Sequence, residues 1–284
     1  MTKVTAPAIA ARKGSGHPIV MVTAYDAPGA RIADAAGVDM ILVGDSLAMV
    51  VLGYDDTLQV TVDDMAHHIA AVARAKPEPL VVGDMPWMSY HVSVEDTVRN
   101  AARLVKAGAQ AVKLEGGRKR LPMVEAIVDA EVPVMGHIGL TPQSMHAMGG
   151  FKVQGREVSA ALGLVDDAKA LEDAGCFSIV LEGVPDEVAR MVTDSISIPT
   201  VGIGAGPHCD GQVLVFHDVL GLEDRIIPKF VRRYASLKAD GIAALAAFAD
   251  DVRTRRFPAD EESYHLSGDV AETLSLYGSG TKTA

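Results

Sequence analysis

Three stretches of this chain repeat one pattern: "AAGVDMILVGD" (residues 35–45), "KAGAQAVKLEG" (106–116) and "DAGCFSIVLEG" (173–183). Each runs from a helix-ending glycine, through a short strand, to an acid. Gly37, Gly108 and Gly175 stand where a helix should stop, because glycine enters the left-handed conformation of C-terminal caps without steric cost. The repeating unit is helix–turn–strand. Strands that alternate with helices imply a parallel sheet joined by right-handed crossovers.

Outward from these units the sequence holds eight short apolar runs: "IVMVTAYD", "DMILVGDS", "LVVGDMP", "AVKLEGG", "VPVMGHIG", "FSIVLEGV", "PTVGIGAG" and "QVLVFHD". They are largely continuous in hydrophobicity, as parallel strands covered on both faces are. Helical segments lie between most of them. "TVDDMAHHIAAVARA" opens with Thr61 and Asp64 at capping-box spacing. "SVEDTVRNAARLVKAG" opens with Ser93 and Asp96 and carries small or apolar residues at 94, 98, 101, 102 and 105. Eight such strands predict an α/β chain folded as a single-domain (β/α)8 TIM barrel, whose active site lies at the C-terminal ends of the strands. A doubly wound open sheet is the alternative. Residues 1–265 are expected to form the catalytic barrel, with one or two helices in 229–256 closing it. Residues 266–284, rich in Ser, Thr and Gly, read as a flexible tail.

A chain of 284 residues with 49% hydrophobic but only 5% aromatic residues builds a large core from aliphatic side chains. Its formal charge of −11 excludes a general nucleic-acid or anionic-membrane binder, which needs a basic footprint. The same charge means that an anionic substrate requires a local cation. Cys176 and Cys209 show no metal or redox spacing, as suits a reducing compartment. No stretch reads as a signal peptide or membrane span. The expectation is a soluble, cytoplasmic protein with neither nucleic-acid nor membrane partners.

Asp45, Asp84, Glu115 and Glu182 each end a different strand, so a barrel gathers four carboxylates at one rim. Acids so close repel unless a proton or cation intervenes. The plain alternative is that each caps its following helix. Hard oxygen ligands on separate elements, without HExxH or CxxC, suit Mg²⁺ better than zinc. Lys113 and Glu115, two apart in a strand, face the barrel axis together, whereas Val112 and Leu114 face the helices. An inward lysine is costly unless it meets an anion. A Schiff-base role is disfavoured, because neighbouring acids keep the amine charged. "GDSLA" is not a nucleophile elbow, so Ser46 reads as a hydroxyl donor to a substrate carboxylate or as a loop hydrogen bond. His137, ending the fifth run, is an assisting or a structural residue. His67 and His68 read as structural or exposed. "VGIGAGPHCDGQ" matches no phosphate-loop pattern and reads as tight turns or a close backbone approach.

Taken in order, "VTAYD", "LVGDSLAMVVLGYDDTLQVTVDDM", "VKLEGG", "GHIGLTPQS", "GGFKVQGR", "VGIGAGPHCDGQVLVFHD" and "IPKF" resemble the ketopantoate hydroxymethyltransferase family over residues 21–265. That family sits in the phosphoenolpyruvate/pyruvate-like superfamily of barrels. The resemblance implies transfer of a hydroxymethyl group from 5,10-methylenetetrahydrofolate to 3-methyl-2-oxobutanoate, giving 2-dehydropantoate for pantothenate synthesis through a Mg²⁺-stabilised enolate. It implies Asp45, Asp84 and Glu115 at the metal, Asp45, Ser46, Asp84 and Lys113 around the oxo acid, and Glu182 as the proton acceptor. It leaves His137 as a possible assistant. It further implies a homodecamer of two stacked pentamers. The rival readings are an enzyme of the phosphoenolpyruvate-mutase or isocitrate-lyase type, and a catalytically silent scaffold.

Overall fold

A computed structural model describes residues 3–223, 225 and 227–278. The chain divides into two compact units, residues 1–235 and 236–284. The first is a closed barrel of eight parallel strands in sequential order: β1 (Ile19–Thr23), β2 (Met40–Val43), β3 (Leu80–Asp84), β4 (Ala111–Glu115), β5 (Val134–Gly139), β6 (Ser178–Glu182), β7 (Thr200–Ile203) and β8 (Gly211–Leu214). β8 pairs with β1, from Ile19 opposite Gly211 to Val22 opposite Leu214, so the sheet has no edge and the open-sheet alternative is excluded.

The period of two sorts the strand residues as expected. Ile41, Val43, Val81, Val112, Leu114, Ile179 and Leu181 pack outward with helix residues such as Ile69, Leu104 and Leu171. Met21, Met40, Leu42, Leu80, Val82, Ala111, Met135, Val180 and Val213 fill the interior. The short helix Ala6–Ala10 adds Ile9, fully buried, to that interior cluster. Val4 N–H donates to Glu78 O just before β3, which places this helix across the N-terminal mouth. The floor of the barrel is therefore largely apolar and plugged. Its inward charged and imidazole side chains, Asp84, Lys113, Glu115 and His137, lie toward the C-terminal ends of their strands, while Ser178 at the start of β6 adds a buried hydroxyl lower down.

Local chemistry sets the helix ends. Thr61 and Asp64 close a reciprocal capping box on helix Val62–Arg74. The Ser93 side chain accepts from Asp96 N–H at the start of helix Val94–Ala107, and Gly108 ends that helix in the left-handed region at φ 119°. His68 Nδ1 lies 2.7 Å from Tyr25 O, a structural contact between helix Val62–Arg74 and the segment just after β1.

The second unit holds helix Leu237–Arg253, a turn at Asp260–Glu262 and helix Gly268–Gly278. The contact boundary at 235/236 falls ahead of the division at 265/266 suggested by composition, and the segment 229–256 contains one helix. The stretch read as a tail is helical over Gly268–Gly278, and residues 279–284 lie outside the described residues. No described helix is long and apolar enough to cross a membrane.

Two of the three helix-ending glycines allow a matched test. Gly37 has φ +75° with open space around the position of a Cβ, so Gly37→Ala bears only left-handed strain, about 1–2 kcal/mol. At Gly108 a Cβ would also sit 2.4 Å from Ala73 Cβ in the neighbouring helix, so Gly108→Ala should lose roughly 2–5 kcal/mol. Urea unfolding of both variants checks this. Equal losses would mean that the two helices move apart at Ala73 without cost.

Candidate active site

None of the four rim acids caps a helix. The N-cap positions of the segments that follow them belong to Ser46, Ser93, Gly117 and Pro185. The acids instead build one buried polar cluster at the C-terminal mouth.

Asp45 and Asp84 are joined through the backbone: Asp45 N–H donates to Asp84 Oδ2 at 3.2 Å. Lys113, in register with Asp84 on the adjacent strand, brings Nζ to 2.9 Å from Asp84 Oδ1. That approach lies off the hydrogen-bond direction, and Asp84 Oδ1 is buried without a hydrogen-bond partner. On the next strand pair Glu115 stands in register with His137. His137 Nδ1 lies 3.4 Å from Glu115 Oε1 and 3.3 Å from Lys113 Nζ. Its Nε2 lies 3.1 Å from Glu182 Oε2, again outside hydrogen-bond geometry. His137 thus sits within β5, two residues before its end, between two acids. Glu182 is the most open of the four, with a side chain 16% exposed, against 2–3% for Asp84 and Glu115.

Burial and charge oppose each other here. Burial, with the charges of Asp84 and Glu115, pushes Asp45 well above the ordinary carboxylate range. Burial also raises Asp84, and Glu115 adds to this against the pull of Lys113. Burial works against charge on Lys113, yet Asp84, Glu115 and Asp45 together hold its ammonium above the usual lysine value. For His137, burial and Lys113 favour the neutral ring, but Glu115 and Glu182 win and raise it to about 9. Burial disfavours a charged Glu115, yet His137, Lys113 and the Gln143 N–H lower it below the ordinary value.

Residues that sequence reasoning missed hold this cluster in place. Gln143 donates from Nε2 to Asp45 Oδ2 at 2.8 Å and to Met85 O at 3.0 Å, while its backbone N–H donates to Glu115 Oε2 at 3.0 Å. Tyr90 OH donates to Gln143 Oε1 at 2.5 Å and accepts from Glu115 N–H at 3.1 Å. Tyr25 OH lies 2.9 Å from Ser46 Oγ, so the serine that carried the hydroxyl prediction has a hydroxyl neighbour of its own. Tyr25 follows β1 as Asp45 follows β2, and that position past a strand end was its one sequence signal.

Among the described residues no three His, Cys, Asp or Glu side chains form a metal-holding group by themselves. Asp45 and Asp84 form the pair linked by a backbone hydrogen bond, and Asp84 Oδ1 meets the Lys113 ammonium outside hydrogen-bond geometry, whereas the Glu115 oxygens face the Gln143 N–H and His137. Two carboxylates at the ends of separate strands, one with a buried oxygen outside any hydrogen bond, fit Mg²⁺, which keeps most of its waters and takes one or two protein carboxylates.

The family model described as ketopantoate hydroxymethyltransferase matches residues 3–260. The chain belongs to that family. A 3-methyl-2-oxobutanoate hydroxymethyltransferase of Methylobacterium sp. (strain 4-46) is 57% identical over 270 residues, covering 95% of this chain and 94% of the relative. A protein of Bradyrhizobium diazoefficiens (strain JCM 10833 / BCRC 13528 / IAM 13628 / NBRC 14792 / USDA 110), named 3-methyl-2-oxobutanoate hydroxymethyltransferase 2, is 53% identical over 284 residues, covering 100% and 97%. Membership of the ketopantoate hydroxymethyltransferase family makes this chain an enzyme with that activity. The barrel itself is shared more widely. Phosphonopyruvate hydrolase, solved with oxalate and Mg²⁺, aligns at TM-score 0.62 and 16% identity over 98% of this chain and 96% of that one. 2,3-Dimethylmalate lyase, described as a PEP mutase/isocitrate lyase superfamily member, aligns at 0.56 and 18% over 98% and 99%.

The acid cluster carries a stability cost in the metal-free protein. Asp45 is harder to ionise folded than unfolded, so its contribution to stability falls as pH rises from 3.8, the ordinary value, through its raised folded value. Asp45→Asn removes that charge and leaves an amide oxygen to accept from Gln143. In chelator at pH 7 the variant should melt above the parent, with the difference vanishing in acid. A variant less stable than the parent at pH 7 would show that the Asp45 carboxylate is already compensated.

Proposed function

We propose that the chain transfers a one-carbon unit from 5,10-methylenetetrahydrofolate to the branched carbon of 3-methyl-2-oxobutanoate, with Mg²⁺ at Asp45 and Asp84. The products are 2-dehydropantoate and tetrahydrofolate, with water supplying the hydroxyl oxygen. A single observation carries the reading: a partly open carboxylate, Glu182, is linked through His137 and Lys113 to a buried acid pair that Lys113 alone does not neutralise. Bound at that pair, Mg²⁺ supplies Lewis-acid charge to the substrate carboxylate and 2-oxo oxygen.

The chain's own residues do the rest. Lys113 Nζ places a fixed positive charge beside the same pair, where negative charge develops on the oxo acid as its proton leaves. Ser46 Oγ, oriented by Tyr25 OH, offers a donor to the substrate carboxylate. Glu182 takes the proton from the branched carbon, and the resulting carbanion forms the new C–C bond to the donor's methylene carbon. Glu115 acts from behind, through water and through His137, because its oxygens already face Gln143 N–H and the imidazole. His137 sits against Glu182 and orients it. Residence in the cytoplasm, a place in pantothenate synthesis and assembly as a homodecamer belong to the same proposal and rest on the family resemblance.

The decisive assay measures product from the oxo acid and 5,10-methylenetetrahydrofolate with and without chelator, and activity should require the divalent ion. Glu182→Gln should bind the oxo acid normally but lower both turnover and deuterium exchange at the branched carbon by about 10²–10⁴-fold. Exchange at the parent rate in this variant would place the base elsewhere.

A further inference from the structure

Beside Gln143 the rim opens into a cavity of about 290 Å³ that the proposed chemistry does not use. The loop after β3 contributes Trp87 and His91, the loop after β4 Arg120, and the loop after β5 Gln143, Ser144 and His146. Three features of its wall point to one kind of ligand.

The first is an uncompensated cation. Arg118, two residues before Arg120, is paired with Asp167 at 2.7 Å and Asp166 at 3.6 Å. Arg120 is half-buried and makes no ion pair among the described residues; its guanidinium carbon lies 5.6 Å from the centre of the Tyr90 ring. Its stem crosses bare backbone at Gly116, where a Cβ would come within 2.9 Å of Arg120 Cγ. In a chain of formal charge −11, a half-buried guanidinium without a carboxylate is poised for an external anion. The second feature is His91. Burial and the nearby Arg120 charge push it down to about 4, so it is neutral at physiological pH, and its Nδ1 is buried without a partner. The third is Trp87, the one tryptophan of the chain, 42% exposed at the rim. An indole face, a neutral imidazole and a free guanidinium together recognise a flat aromatic ring that carries a carboxylate.

We infer that this cavity holds the aminobenzoyl-glutamate part of the folate donor, with the ring against Trp87 and a glutamate carboxylate on Arg120. The inference rests on the donor proposed above. Gln143 lines this cavity and bonds to Asp45 on its other side, while Tyr90, behind it, donates to Gln143 and carries Arg120 on its ring.

The single tryptophan makes the test direct. Titration with p-aminobenzoylglutamate, which lacks the pterin and the transferable carbon, should change Trp87 fluorescence saturably. Arg120→Ala should weaken that binding roughly 10- to 100-fold, as expected for loss of a hydrogen bond to a charged group. It should raise KM for 5,10-methylenetetrahydrofolate by a similar factor. Deuterium exchange into the oxo acid, which needs no donor, should keep the parent rate. Arg120→Gln, which keeps the stem over Gly116 and replaces the guanidinium with a neutral amide, should behave alike, so that the loss is not one of folding. An absent fluorescence response, or an unchanged donor KM in both variants, overturns the inference even where product forms normally. Saturable, Arg120-dependent binding in an enzyme that makes no product from the folate would retain the cavity as an aryl-carboxylate site and sink the proposed reaction instead.

Discussion

Lys113 Nζ lies at the centre of the charge pattern, 2.9 Å from Asp84 and 3.3 Å from His137, with a side chain only 5% exposed. Around it stand Asp45, Asp84 and Glu115, with Glu182 beyond His137. Fully ionised, these four acids meet two cations at neutral pH, Lys113 and a His137 whose proton is held up to about 9. Four negative charges against two positive leave two uncompensated. Under the proposal above, a divalent cation at Asp45 and Asp84 would supply that difference. Burial, with the neighbouring carboxylates adding to it, is what raises Asp45 and Asp84 above the ordinary range. Removing Lys113 would leave the acids facing one another, and breaking a buried pair from one side typically costs 3–5 kcal/mol.

The barrel makes such a concentration of charge tolerable by separating it from the core. Interior positions nearest the N-terminal ends of the strands are mostly aliphatic, apart from Ser178, and the helix Ala6–Ala10 seals that end with Ile9. Register then delivers the polar side chains as neighbours: Asp84 opposite Lys113, Glu115 opposite His137. A slip of one residue on β4 would turn Lys113 and Glu115 into the helix layer and bring Val112 and Leu114 to the axis. Packing of the outer layer, where Val112 and Leu114 are fully buried, therefore also fixes the chemistry of the mouth.

This coupling explains which parts were legible from sequence. A strand buried on both faces is an apolar run, so a charged residue inside it stands out and its face follows from parity. That exposed Lys113, Glu115 and the strand-end acids, and the helix-ending glycines supplied the repeat that defines the barrel. Gln143 and Tyr90 escaped because they are uncharged, lie in loops where no period fixes direction, and act through hydrogen bonds to residues far along the chain. The division at 235/236 escaped for another reason. The Ala-rich stretch of helix Leu237–Arg253 has the composition of a barrel helix, and composition carries no information about which unit a helix joins.

Tyr90 explains how the neutral residues discipline the charged ones. Its hydroxyl has one proton to give, and because the Glu115 N–H already donates to it, that proton goes to Gln143 Oε1. With its oxygen so occupied, the Gln143 amide has only one orientation, and Nε2 must face Asp45 Oδ2 and Met85 O. An amide turned the other way would set an oxygen against a carboxylate and leave the Tyr90 proton without an acceptor. The direction of a single hydroxyl thus fixes the donor that holds Asp45, and it does so from a ring whose face carries the Arg120 guanidinium. The guanidinium meets the ring at its face, whereas the hydroxyl that orders Gln143 lies at the ring edge, so a change at Arg120 leaves the hydrogen bonds that hold Asp45 in place.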